Sequence, residues 1–342
     1  MGYRAEKQKT ENKIKIFKRV LLGILLFLIL GACIFSAFIP PNKWKYNVGL
    51  PKVGKRKTGE MRLHFIDVGQ GDATLIELPD GKHVLIDGGG GSSAATKSLL
   101  RYLNALKITK IDYLVVSHAD GDHCGGLKAV LSQVDVFNAY LPPSFGSEDI
   151  KYAEFYAELM KTDCEVVYSS RAIANIGSAD NGVNGGYTLS FLSPTSIMLE
   201  DIINGESELT DDNLLSSVIW LDYQGVSTLL MGDAPYKIEE ELLSHDDLGV
   251  FEKRGVDLSS TEILKVSHHG SGNATSSEFL QYLNAKEGII SCGEGNTYGH
   301  PDPSVLTRLT SAGVNVYRTD QDGHICITVS QNGEYMVKKI SS

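Results

Sequence analysis

From residue 61 onward, short apolar runs alternate with polar, glycine-rich turns, and the runs fall into two periods. Strand-like runs stand at 62–68 (RLHFIDV), 73–78 (ATLIEL), 83–89 (HVLIDGG) and 111–117 (IDYLVVS). Further strands are predicted at Tyr187–Leu192, Ser217–Tyr223, Val226–Met231, Glu262–Val266, Gly288–Ser291, Val314–Tyr317 and His324–Val329. Pro79-Asp80-Gly81 between two such runs is a hairpin signal. Helical stretches are predicted at Ala94–Leu106, Lys151–Met160, Lys237–Leu243, Ser276–Leu283 and Ser304–Ser311. The Gly- and Asn-rich stretch 172–186 reads as an exposed loop. Many strands, interleaved helices and no long linker predict one α/β domain with sheets at its centre.

The N-terminus follows another pattern. Val20 to Ile39 is a run of 20 residues without a charge, and at 1.5 Å per residue a helix of that length covers roughly 30 Å of hydrocarbon. Lys13, Lys15, Lys18 and Arg19 crowd its N-terminal side, and Trp44 and Tyr46 follow its C-terminal end. This places residues 1–19 in the cytoplasm, a transmembrane anchor at 20–39, a lysine- and proline-rich tether at 40–60 and the body, 61–342, outside the cell membrane. Two alternatives stay open: Leu30-Gly31-Ala32-Cys33 resembles a lipobox that would lipidate Cys33, and the run could be a cleaved signal peptide. All three put the body on the outer side.

Charge divides the same way. Residues 1–60 hold 13 Lys and Arg against 3 acidic residues, whereas 61–342 hold 19 against 39, a net of −20. Such a body lacks the cation excess that drives sequence-independent binding to phosphates. Five scattered cysteines without CxxC spacing exclude a disulfide-stapled scaffold or a zinc ribbon.

Five of the nine histidines stand in polar segments that follow apolar strands or adjoin a Gly/Pro turn. The densest segment is Ser117-His118-Ala119-Asp120-Gly121-Asp122-His123-Cys124-Gly125-Gly126. Its two imidazoles and two carboxylates are ligands for a divalent cation, and without one they would repel or stay protonated. Asp233 ends the strand LLMGD, and His268 and His269 end LKVS. On an extended segment these adjacent histidines would point opposite ways, so that one of them reaches a shared cation. His300 precedes Pro301, in an extended or turn conformation. Cys124 is expected to pack beneath its loop and His324 to be structural, while His64, His83 and His245 carry no such context.

These segments resemble the metallo-β-lactamase superfamily and, more narrowly, the metallo-hydrolase domain of the ComEC-type late-competence DNA-uptake proteins. The likeness runs in order through FIDVGQGDA, LIDGG, SHADGDHCGG, LLMGDA, VSHHGS and YGHP with RTDQDGHI, over residues 61–330. It implies an αββα sandwich preceded by the single transmembrane helix, with His118, Asp120, Asp122 and His123 as metal ligands. It further implies Asp233 as a carboxylate bridging two metals, His268 as the late ligand with His269 as runner-up, and Asp87 as the group that orients the ligand loop. The chain departs from the superfamily where Asp120 replaces a histidine, and where Asp211-Asp212-Asn213 stands in place of a mid-chain one. An oxygen-rich site of this kind takes one or two ions, Zn²⁺ or the harder Mn²⁺.

The chemistry expected is metal-assisted hydrolysis, with Asp122 orienting the nucleophile and His300 as general acid, the one site-like histidine without a metal role. The resemblance favours a phosphodiester, single-stranded DNA among the substrates. Hydrolysis of another surface ester, lactone or amide, such as a phosphocholine-type ester, and a non-catalytic DNA-uptake module are the alternatives.

Overall fold

The computed structural model describes residues 2–38, 45–143, 149–170, 186–195 and 211–341. Ile39 of the apolar run, residues 40–44 of the expected tether and 172–185 of the glycine-rich stretch lie outside them. The chain divides into two compact units, Met1–Gly49 and Leu50–Ser342. In the first, helix α1 (Gly2–Phe38) contains a segment, Asn12–Ile34, long and apolar enough to cross a membrane by length and composition. Membrane localisation is compatible with it.

In the second unit, elements follow in the order β1 (Met61–Phe65), β2 (Thr74–Glu77), β3 (His83–Ile86), α2 (Ser93–Ala105), β4 (Lys110–Val115), α3 (Gly121–Cys124), α4 (Leu127–Leu131), β5 (Asp135–Leu141), α5 (Ile150–Leu159), β6 (Glu165–Tyr168) and β7 (Tyr187–Ser193). They continue with β8 (Val218–Tyr223), β9 (Val226–Leu230), α6 (Tyr236–Asp247), β10 (Thr261–Lys265), α7 (Ser277–Leu283), β11 (Glu287–Ile290), α8 (Pro303–Ser311), β12 (Asn315–Arg318), α9 (Thr319–Asp322), β13 (His324–Val329) and β14 (Tyr335–Ile340). An eight-stranded sheet runs β14-β13-β1-β2-β3-β4-β5-β6 and a six-stranded sheet runs β12-β11-β10-β9-β8-β7.

Strand alternation builds the layers. Met61, Leu63 and Phe65 of β1 face the other sheet and pack with Ile76, Phe191, Ile219, Leu230, Ile263 and Ile289 in the inter-sheet core. Arg62 and His64, on the opposite face of β1, are buried too; there His64 meets Tyr102 of α2. On the far side of the six-stranded sheet, Trp220, Leu229 and Met231 pack with Ile238 and Leu242 of α6, Phe279 and Leu283 of α7, and Val305 and Leu309 of α8. The result is the expected αββα sandwich. Three strands that the apolar pattern does not predict, β5, β6 and β14, lie towards or at the ends of the larger sheet. Their partial exposure, with few fully buried positions, leaves only a weak apolar signal.

What places the site is strand direction. β3 and β4 pair in parallel, as do β9, β10, β11 and β12. The residues after β3, β4, β9, β10 and β11 therefore emerge from the carboxyl ends of parallel strands, where open α/β sheets bind ligands.

Candidate metal centre

Each strand end delivers its polar group by a local device. Asp87, after β3, adopts φ 62°, and its Oδ1 accepts the Ser117 backbone N–H at 2.8 Å. Its Oδ2 accepts the Ser117 hydroxyl at 2.6 Å and lies 2.8 Å from His123 Nδ1. Asp87 thus ties the end of β3 to the loop after β4 and turns His123 Nε2 inward. The helical turn α3, with Gly121 and Gly125 at its flanks, then brings His118, Asp120, Asp122 and His123 into one curl. A side chain at Gly71 would strike the Asp122 carbonyl, so the glycine lets the loop carrying Asp72 close against that curl. The Asp72 N–H donates to the Asp122 carbonyl there, at 3.3 Å.

Asp233 stands in the middle. Its Oδ1 lies 3.3 Å from His123 Nε2, and its Oδ2 lies 3.5 Å from His269 Nε2, 3.6 Å from His268 Nε2 and 3.9 Å from His118 Nε2. His123 Nε2 and His269 Nε2 are 3.3 Å apart. Asp122 Oδ2 is 3.3 Å from His269 Nε2, and Asp120 Oδ2 is 3.6 Å from His118 Nε2. One ligand atom each from Asp72, His123, Asp233 and His269 lie within 4.8 Å of one another, and all four residues are buried.

Both adjacent histidines face Asp233, against the expectation that only one would reach the centre. They do not continue an extended strand: His268 has φ 48°, ψ 48° and His269 φ 54°, ψ 19°, left-handed conformations that are costly for such side chains. The surroundings enforce them. The His268 N–H donates to the Gly232 carbonyl at 3.0 Å, the Ser267 hydroxyl to the Ala234 carbonyl at 2.6 Å, and Gly270 is pressed against Pro301. His269 Nδ1 lies 2.9 Å from the Ser291 carbonyl. That contact requires a proton on Nδ1, so in the neutral ring the Nε2 lone pair points at Asp122 and Asp233. Behind His269, Asp72 Oδ1 is 3.3 Å from the same Nδ1, and Asp72 Oδ2 is 2.7 Å from the ammonium of Lys265, itself only 2% exposed. Lys265 and Ser291 are site residues that sequence reasoning missed.

Electrostatics describe a centre short of positive charge. Burial opposes ionisation of Asp233, yet the charges of His269 and then His123 hold its carboxyl well below the usual range. Burial works against charging His123, but Asp233 and Asp87 raise its proton affinity well above normal. The same opposition leaves His269 at about 10, through Asp233 and then Asp122 and Asp72, and Asp122 at about 2. Protons on the imidazoles thus play the part that a cation would take over, since metal binding displaces protons from its ligands. Several buried atoms here, among them His118 Nε2, Asp233 Oδ1, Asp72 Oδ1 and His268 Nδ1, make no hydrogen bond. The 3.3–3.9 Å separations around Asp233 match the roughly 3.4 Å between neighbouring ligands on a tetrahedral ion with bonds of about 2.1 Å. A divalent cation fits the cluster.

Residues 66–144 match the metallo-β-lactamase superfamily. The chain carries a metallo-β-lactamase domain. It is 31% identical over 283 residues to ComE operon protein 3 of Bacillus subtilis (strain 168), covering 78% of this chain and 33% of that protein. It is 29% identical over 267 residues to Competence protein ComA of Neisseria gonorrhoeae, covering 78% and 32%. The chain thus spans about a third of the length of these curated relatives. A solved diphosphatase from the PhnP family is also similar, at 14% identity and a TM-score of 0.42 over 83% of this chain and all of that one. The fold is one of metal-dependent hydrolases, and the relatives are competence proteins by name.

The remaining positions of the metallo-β-lactamase domain fall as follows. Asp212 lies on the turn that enters β8, where the superfamily's mid-chain histidine would be expected; burial and then the charge of Asp120 raise its carboxyl. Cys124 is buried, with Sγ 3.9 Å from the Ala119 carbonyl. The His300 ring stands 5.6 Å from that of His268 and 6.3 Å from that of His269. Its Nδ1 is buried without a partner. Burial, then the neighbouring imidazoles, lower its proton affinity.

Proposed function

We propose that the domain is a metal-dependent phosphodiesterase acting on nucleic acid, held on the outer face of the cell membrane by residues 20–39. The single observation that carries the hydrolytic reading is the ring of four imidazoles around Asp233, whose Oδ1 is buried and makes no hydrogen bond. The residues that would hold the metal are His118, Asp120, Asp122, His123, Asp233 and His268 or His269. The hydrogen bond to Ser291 favours His269 by freeing its Nε2. Asp233, with Oδ1 beside His123 and Oδ2 facing His118, His268 and His269, is the carboxylate that would be shared if two ions bind. The competence relatives favour nucleic acid over the other esters.

A bound divalent cation supplies Lewis acidity, lowering the pKa of water and neutralising phosphoryl charge. The chain does the rest. Asp122, half-buried beside His269, accepts a hydrogen bond from the attacking water and orients it. Asp87 and Ser117 lock the His123 ring, as outer partners of metal ligands do. His300, next to His268 and His269, gives its proton to the leaving alkoxide; burial and then the neighbouring imidazoles lower its proton affinity, which eases release and confines the protonated ring to lower pH.

The test uses the full chain in detergent. Metal analysis should find a divalent ion, and both bis-p-nitrophenyl phosphate and single-stranded DNA should be cleaved. His300→Ala should keep the metal and lower kcat on DNA by roughly 10²–10⁴-fold, with a smaller loss on the p-nitrophenyl ester, whose leaving group needs little protonation. A metal-loaded protein that spares both diesters would redirect the search to esters, lactones or amides. A protein that binds no metal would be a non-catalytic module.

A further inference from the structure

Beside the cluster, on the loop between β11 and α8, stands an aromatic ring that the hydrolytic chemistry does not use. Tyr298 is 70% exposed, yet it is not a loose surface side chain. Its ring stacks on His300 with centroids 5.8 Å apart and planes 24° from parallel, and His300 in turn lies 6.3 Å from His269 at 31°. The three rings form a stair from solvent down to the imidazole whose Nε2 faces Asp233. The loop that holds them is pinned by one side chain. Asn296 accepts the N–H groups of Tyr298 and His300 at 3.2 and 3.1 Å and donates to the carbonyls of Gly293 and His300 at 2.9 and 2.5 Å. Gly293 is packed so closely on Gln70 that a side chain there would collide with its backbone. A large aromatic face held open to water by such scaffolding has a free π surface and a fixed orientation, which is what a stacking contact needs.

Charge narrows the ligand. With 39 acidic residues against 19 basic ones in 61–342, the body has little counterion-release affinity for a phosphate backbone, so contacts to the bases are the complementary means of holding a strand beside the cluster. Base stacking on an aromatic is indifferent to sequence and requires an unpaired base. We infer that Tyr298, backed by His300, stacks a nucleobase of single-stranded nucleic acid and so positions the neighbouring phosphodiester over the Asp233 cluster. This rests on the phosphodiesterase reading.

The test is fluorescence anisotropy with the full chain in detergent, using fluorescein-labelled dT12 with hydrolysis-resistant phosphorothioate linkages and an abasic strand of the same length and linkage. The base-bearing strand should bind more tightly than the abasic one. Tyr298→Ala should weaken the base-bearing strand roughly tenfold and leave the abasic strand unchanged, and Tyr298→Trp should restore the difference. Equal weakening of both strands, or no change in either, would overturn the assignment. The two readings fail separately. Base-dependent binding through Tyr298 without hydrolysis of any diester supports the stacking and removes only the hydrolysis. Hydrolysis of bis-p-nitrophenyl phosphate without base-dependent binding removes only the stacking.

Discussion

Two buried clusters of imidazole and carboxylate occupy this domain, and they are opposites. On the outer face of the eight-stranded sheet, the fully buried His64 places Nδ1 2.9 Å from the Tyr102 hydroxyl and Nε2 2.9 Å from Glu77 Oε2. Arg62 donates to the same Glu77 oxygen through Nε at 2.6 Å, and to the Gly54 carbonyl through a second nitrogen at 2.6 Å. Burial alone would raise the Glu77 carboxyl, but His64 and then Arg62 hold it at about 2. Cation, anion and imidazole close on one another there. At the sheet edge His118, His123, His269 and Asp233 are as deeply buried, but His118 Nε2 and Asp233 Oδ1 make no hydrogen bond and two histidines sit in strained backbone. A buried polar group left unpaired costs free energy and needs a reason. The first cluster is complete without help and serves the fold. The second keeps buried polar atoms without hydrogen bonds and fits a divalent cation, a difference that burial and residue type do not reveal.

The largest effect expected follows from removing the centre of the second cluster. Asp233→Ala takes away the carboxylate that faces all four imidazoles, so turnover should fall by at least 10³-fold and bound metal should be lost, read by elemental analysis after dialysis. A variant that kept its metal would show that the remaining side chains hold the cation without Asp233. The next effect belongs to the first cluster. Glu77→Ala leaves Arg62 and His64 buried beside no anion and should cost about 3–5 kcal/mol of stability, measured by denaturant unfolding followed through the buried Trp220. Its metal content should not change; loss of metal there would mean that the two clusters are coupled through β1 and β2.

The sequence exposes one cluster and hides the other for a physical reason. Ligand loops need glycines to curl and polar residues to bind, so SHADGDHCGG stands out against the apolar strand before it. The order of strands and longer helices from β7 to β13 is legible in the same way, whereas the short α9 and the edge strand β14 are not. His64 sits in an alternating strand and reads as an ordinary outward residue. What makes it structural is Glu77 on the neighbouring strand and Tyr102 on the helix above, and pairing across strands is not written locally. Lys265 is hidden likewise inside the apolar run EILKV, since its partner Asp72 lies on a loop of the other sheet. The left-handed turn at His268 and His269 is imposed by the Gly232 carbonyl and Pro301, so a strand-based reading of side-chain direction fails there.

The smallest effect sharpens the contrast through pH. His324, beside Tyr102 on the structural side, accepts the Asp67 N–H on Nδ1 at 3.0 Å, a bond open only to a neutral ring. Burial first, and the charge of His64 after it, push its pKa down to about 4 despite the nearby Asp67. Because the folded value lies below the ordinary 6.5, the unfolded chain takes up this proton first as pH falls. Stability is therefore full above pH 6.5 and is lost progressively between 6.5 and 4, by at most about 3 kcal/mol. His64 has the opposite sign: its proton affinity is raised, so its contribution is full below 6.5 and fades as pH climbs through the folded value. The two must be separated by difference. In chelator, with the metal-site histidines common to both proteins, the stability of the wild type minus that of His324→Asn should decline from pH 6.5 to 4 and stay flat from 6.5 to 8. Asparagine keeps an acceptor for the Asp67 N–H but cannot titrate, so a flat difference across the acid range would show that His324 takes up its proton as readily in the folded domain as in the unfolded chain, and that its bond to Asp67 is not what holds the loop.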